Sequence, residues 1–198
     1  MLAFLLAAGV IVVLPGPDTL VVVRSILVGG RRRGVAAVAG IQSGLVVWIV
    51  AAALGLAALL RASEIAFDVL RVAGAVYLVW LGVQSWRGRG DDRLAATRGG
   101  LLGTGFRGGL LSNLLNPKIG VFFVTFLPGF IPRGYPVAAT TLLFGAVFVA
   151  INIAYQVLLV VLATRITGLM GRRSVRRRLE RVTGAVLIGF GVRLATEG

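Results

Sequence analysis

Residues 14–24 read LPGPDTLVVVR: two prolines, a glycine and an aspartate inside an apolar run that begins at residue 1. A proline lacks the amide N–H that a helix interior uses, and it biases the preceding residue away from helix. Pro15, Gly16 and Pro17 therefore interrupt a hydrophobic helix, and Gly16 and Pro17 are suited to restart one as cap and first helical residue. Asp18 then falls in the first turn of the second half, where the positive end of the helix dipole favours a carboxylate. A stretch of the same design, NLLNPKIGVFF, occupies 113–123. There Asn116 is suited to cap and Pro117 to open the helix, with Lys118 in the place of Asp18, where the dipole disfavours it and a counter-charge is needed.

The surroundings of these breaks set the fold class. The chain has 198 residues, 58% of them hydrophobic, with a mean hydropathy of +0.95, and its apolar residues come in long blocks and not in alternation. Runs of about 20 apolar residues match the hydrocarbon thickness of a bilayer, so the chain reads as an all-α integral membrane protein. Six spans are expected, at about 2–28, 35–60, 65–86, 106–130, 137–163 and 179–196, with the first and fourth broken. Together they form a single transmembrane domain over 1–198. The N-terminus lacks a basic leader, so the first block is expected to stay in the mature protein.

Charge reports on topology. The net charge is +14, but the arginines lie between the apolar blocks, which argues against nucleic acid as a partner. Fifteen arginines fall in or beside the first, third and fifth connections and four toward the opposite side. The positive-inside rule therefore places the odd connections in the cytoplasm and both termini outside. Membrane lipids are the expected partners of the RRSVRRR cluster at 172–178, which reads as an anchor at an anionic leaflet.

The two breaks are part of a longer repeat. Shifted by 100 residues, Pro17 meets Pro117, Leu27 meets Leu127, and Arg33-Gly34 meets Arg133-Gly134; shifted by 110, RVAGAV at 71–76 meets RVTGAV at 181–186. Two copies of a three-helix unit follow, at 1–86 and 106–198, joined by a cytoplasmic Arg/Gly/Asp-rich loop at 87–105. Three spans is an odd number, so the second copy must enter the membrane inverted, as in many secondary transporters.

Of seven acidic residues only Asp18 lies deep in a span, and Lys118 is the one lysine of the chain. An ionised side chain at the bilayer centre costs about 2.5–3.5 kcal/mol on insertion scales, so such groups are paired or used. A static Asp18–Lys118 ion pair is one reading; contact with a substrate or a coupling proton is the other, and the two are compatible. Freed carbonyls at membrane depth are tolerated where they are buried in protein or line water, and the breaks predict a cavity. Gln42, Ser43, Asn113, Asn152, Tyr155 and Gln156 are candidates to line it, with helix-to-helix hydrogen bonding as the alternative. Gly40, Gly44, Gly74, Gly82, Gly184 and Gly191 suit close helix crossings.

No catalytic set is present: the Walker loop, GxSxG and HExxH motifs are absent, and Gly88-Arg89-Gly90 has no strand before it. With no cysteine and no histidine, thiolate metal sites, haem ligation and imidazole relays are excluded, and neither a metal nor another cofactor is expected.

PGPDTL followed by SILVGGRRRG, then GAVYLVWLGVQSWR, then F-x-x-GLLSNLLNPK and FFVTFLPGF, resembles the LysE/RhtB family of bacterial amino-acid exporters along nearly the whole chain. The resemblance implies a six-span inner-membrane carrier that expels amino acids or related metabolites, such as lysine, arginine, threonine, homoserine or leucine, driven by the proton gradient. It carries over to Pro15, Gly16, Pro17, Asp18, Asn116, Pro117 and Lys118; many members have Asn where this chain has Asp18. The reading that results is an alternating-access exporter of a zwitterionic amino acid, with homo-oligomerisation left open. A passive small-solute channel and a non-transporting membrane anchor or lipid-binding protein are its rivals.

Overall fold

The computed structural model describes residues 1–14, 16–87, 103–132, 134–162 and 173–196. Pro15, Arg133, the Gly88-Arg89-Gly90 motif with the rest of 88–102, and residues 163–172 lie outside them. Among the described residues every regular element is a helix. They are α1 (Leu2–Val13), α2 (Pro17–Ala62), α3 (Glu64–Trp86), α4 (Gly105–Leu114), α5 (Pro117–Val121), α6 (Val137–Val161) and α7 (Arg173–Thr196). A π-helical turn at Phe122–Phe126 and a 3-10 turn at Leu127–Phe130 extend α5.

The 46 residues of α2 are two arms, 17–28 and 31–62, because Gly29 (φ −143°, ψ 23°) and Gly30 (φ 67°, ψ −171°) leave helical geometry. The positive φ of Gly30 is one that residues with a Cβ rarely adopt. The first connection, expected at 29–34, is thus a two-glycine hinge. The expected first span begins as α1, is interrupted at 14–16 and resumes as the first arm of α2. The fourth is interrupted between Leu114 and Pro117, where the two halves meet at 48°. At the C-terminal end the chain is already helical at Arg173, ahead of the 179 expected, and the arginines there are good helix formers.

Among the described residues three helical stretches are long and apolar enough to cross a membrane, Pro17–Gly55, Asp68–Trp86 and Val137–Val161, and the bent pair Gly105–Leu114 with Pro117–Phe130 makes a fourth. At about 1.5 Å per residue α6 is roughly 37 Å long, more than the ~30 Å of hydrocarbon it must span. α1, with 12 residues, is too short to cross alone. Burial runs opposite to that of a soluble protein: Leu2 is 72% exposed and Leu54 68%, whereas Asp18, Ser25, Ser112, Asn113, Asn116 and Gln156 are buried. An apolar exterior around a polar interior is what a hydrocarbon solvent selects, and the protein is an all-helical integral membrane protein.

The main helix pairs are α2 with α4, α2 with α6, and α3 with α7. Glycine allows the closest of these approaches. A Cβ at Gly40 or Gly109 would overlap the backbone of Phe106 or Ala37 across the α2–α4 contact, and one at Gly82 or Gly184 would overlap the opposite glycine's carbonyl across α3–α7. Gly44, Gly74 and Gly191 likewise lie against Asn113, Thr125 and Val79. An aromatic core of Phe4, Phe122, Phe123, Phe126, Phe144 and Phe148 ties α1, the π turn and α6 together, with Phe4 stacked on Phe144 at 4.5 Å between centroids. This core seats the end of α1 beside the start of α5, so the two breaks share one place in the fold.

Candidate functional site

At the first break α1 ends with the Leu14 N–H donating to the Val10 carbonyl, and Leu14 turns extended (φ −62°, ψ 115°). In a continuing helix the Ile11 carbonyl would accept from residue 15, but that residue is a proline and has no N–H. Lys118 takes its place. Its Nζ donates to the Ile11 carbonyl at 3.0 Å and to the Leu14 carbonyl at 2.9 Å. The ammonium thus sits at the negative end of the α1 dipole, which resolves the conflict with the dipole of its own helix. Gly16 leaves the passage open: a Cβ there would come 3.3 Å from Nζ.

At the second break the local chemistry is the one read from the sequence. Asn116 Oδ1 accepts from the Lys118 N–H at 3.1 Å and Pro117 is the first helical residue of α5. The last turn of α4 supplies the partners of Asp18: Ser112 Oγ donates to Oδ1 at 2.8 Å and Asn113 Nδ2 to Oδ2 at 2.8 Å. Each break therefore binds the charge that the other one carries. The attraction between Asp18 and Lys118 acts beside these hydrogen bonds, and the Asn116 side chain also faces the carboxylate. Asp18 is 7% exposed, Asn113 0% and Asn116 2%, while Lys118 is half-buried. The freed carbonyls are buried in protein, with the lysine as their donor.

The second arm of α2 braces this arrangement. Trp48 Nε1 donates to the Asn113 carbonyl at 3.2 Å, and its ring lies over Gly120. On the α6 side, Gln42 Nε2 donates to Asn152 Oδ1 at 2.7 Å, and the Thr19 side chain reaches the Tyr155 hydroxyl. Gln156, 1% exposed, lies one turn beyond Asn152. Ser43 stands apart, its Oγ donating to the Ala39 carbonyl of its own helix at an exposed position. Among the described residues Gln42 Oε1, Asn113 Oδ1, Gln156 Oε1 and, nearer the start of α6, Thr141 Oγ1 are buried without a hydrogen-bond partner.

Several groups of the site escaped the sequence reading. Ser112 carries no signal beyond its place before Asn113, whereas the Ile11 carbonyl is deducible as the one orphaned by Pro15. Trp48 and Thr19 carry no sequence signal of their own. Among the described residues no three or more acidic, histidine or cysteine side chains converge as a metal site would require.

Helix breaks that hold each other's charge inside an apolar helical domain define a membrane protein of the solute-translocating kind. The chain belongs to the LysE type translocator family, which it matches over residues 10–198. It is similar to the homoserine/homoserine lactone efflux protein of Salmonella typhimurium, with 32% identity over 98% of this chain and 95% of that one. It is 30% identical to the leucine efflux protein of Klebsiella pneumoniae, over 98% of this chain and 94% of that one. An uncharacterised membrane protein of Bacillus subtilis, YrhP, is 29% identical over 98% of this chain and 97% of its own. No solved structure matches the chain. Membership in a family of translocators agrees with the lack of a catalytic set in the sequence and weighs against the membrane-anchor reading.

Proposed function

We propose that the protein is a secondary-active exporter of amino acids or amino-acid derivatives in the bacterial cytoplasmic membrane, coupled to the proton gradient. Its plan is six spans in two inverted repeats, 1–86 and 106–198, joined by the cytoplasmic connection 87–105, with both termini outside. The relatives named for homoserine and leucine efflux support the substrate class. The arginine distribution supports the orientation.

The observation that carries the mechanism is the exchange of partners between the breaks. A zwitterion offers the same two charges. Its carboxylate draws the Lys118 ammonium away from the Ile11 and Leu14 carbonyls, and its ammonium is taken up by Asp18 and by the carbonyls so released. Pro15, Gly16, Pro17, Asn116 and Pro117 serve by keeping both helices open at this point. Asp18 is the proton carrier of the scheme. Once protonated it needs an acceptor, and the unpartnered Asn113 Oδ1 supplies one when that amide turns over.

Purified protein in vesicles with an imposed proton gradient tests the scheme. Asp18→Asn is expected to retain exchange of amino acid down its own gradient and to lose uphill efflux; full gradient-driven efflux in that variant would remove Asp18 from coupling. Lys118→Met is expected to weaken substrate affinity by about tenfold or more, as loss of a charged contact implies. Unchanged affinity would sink the carboxylate role.

A further inference from the structure

We propose that Gln42, Asn152 and Gln156 form a subsite for an uncharged hydrogen-bond donor on the substrate side chain, a hydroxyl on a short aliphatic chain being the fitting group. The inference rests on the amino-acid export reading and names the side chain that such a substrate would carry.

The register of α6 against α2 places the three amides together. Gln42 bonds Asn152, and Ile49 lies against Gly145, so the second arm of α2 runs antiparallel to α6 with its side chains in step. Gln156, one turn past Asn152, therefore comes beside that arm about one turn before Gln42. From the other side, Thr19 reaches Tyr155, and Val21 and Val22 pack with Val160, which brings the first arm of α2 to the same stretch of α6. Gln156 thus lies in the angle between the two arms, near the turn that carries Asp18.

The amides are poor choices for packing alone. Their neighbours Ile41, Leu45, Leu159 and Val160 are buried and apolar, and methionine or leucine would fill the place of a glutamine without a polar atom to satisfy. Yet Gln156 is 1% exposed, and both its Oε1 and that of Gln42 are buried with no donor. Two acceptors unpaired among the described residues, close to the turn that carries Asp18, call for a donor that arrives from outside. The cluster consists of neutral amides, so an O–H or amide N–H suits it better than an ammonium, whose burial demands a counter-charge. In the exchange proposed above, the backbone charges of the substrate go to the two breaks, which leaves its side chain to face α6.

L-Homoserine and L-norvaline test this directly, since they differ only by a hydroxyl in place of a terminal methyl. In vesicles, the wild-type protein is expected to favour homoserine over norvaline by roughly tenfold or more in apparent affinity. Gln156→Met and Gln42→Met are expected to bring the ratio near one, with norvaline transport kept. Gln156→Asn, which retains an amide, is expected to retain part of the preference. Gln156→Met is expected to melt no lower than wild type, because it loses an unsatisfied polar group, whereas Gln42→Met also strands the buried Asn152 Oδ1 and is expected to melt somewhat lower while folding and transporting. An unchanged ratio in the variants, or a wild-type preference for norvaline, overturns the subsite alone. Lower melting temperatures with loss of both fluxes assign the amides to structure and likewise overturn it. Absence of any amino-acid flux through the wild-type protein overturns the export reading itself.

Discussion

The two helix breaks carry matched sequence devices, a proline with a cap before it and a charge after it, yet they are finished differently. After Pro17 the chain enters a long α-helical arm that runs to the Gly29–Gly30 hinge. After Pro117 it makes only five α-helical residues before widening into a π turn and then tightening into a 3-10 turn. The anion at the first break is held by side chains, Ser112 and Asn113; the cation at the second is held by main-chain carbonyls, Ile11 and Leu14. Carbonyls at a helix C-terminus suit a cation and need no dedicated side chain, whereas an anion beside such an end, as Asp18 is beside the last turn of α4, needs donors supplied by residue type. Repeated sequence thus yields reciprocal chemistry, and the two halves of the site depend on each other.

That dependence can be broken from either side. The largest effect is expected from removing a charge: Lys118→Met strands two carbonyls and deprives Asp18 of its cation, and Asp18→Ala strands Asn113 Nδ2 and Ser112. Either is expected to destabilise the protein by about 3–5 kcal/mol, read as denaturation in detergent. A double-mutant cycle with Lys118→Met and Asp18→Asn is expected to show a coupling of at least about 0.5 kcal/mol; strict additivity would mean that the two breaks act independently.

Next come the glycines beside the two breaks. Gly120→Ala places a Cβ 2.9 Å from the Trp48 ring, a rigid neighbour, and is expected to cost about 1–3 kcal/mol and to shift tryptophan emission. Gly16→Ala meets only the flexible end of Lys118, at 3.3 Å, and is expected to cost less. The reverse order in melting temperature would show the first break to be the more tightly built.

Smallest are the single hydrogen bonds that shape the second break. Asn116→Ala removes the cap of α5 and Trp48→Phe the bond to the Asn113 carbonyl, each expected to cost about 1 kcal/mol. Stability within experimental error of wild type in Asn116→Ala would mean that Pro117 alone fixes the restart.

Much of this was legible residue by residue. Asn116 and Pro117 act as the cap and first residue that their types dictate, because capping is a local property of backbone geometry. Gly40 and Gly82 mark close crossings because an approach of two backbones excludes a Cβ. Asp18 and Lys118 were identifiable as the deep charges because so few charged residues interrupt the apolar runs. The sequence pattern could not assign their partners. A serine in LLSNLL looks like any other small helix residue, and Trp48 looks like a lipid-facing aromatic; only packing turns both toward the break.

By itself, then, the sequence determined an apolar helical membrane protein, two broken helices, and the identity of the two deep charges, since each follows from solvent preference or from what proline forbids. Tertiary structure alone decided that Lys118 would reach across to the end of α1 and Asp18 across to the end of α4. Those contacts join residues about one hundred positions apart, and they exist only because an aromatic core and glycine-lined crossings bring the two breaks to one point.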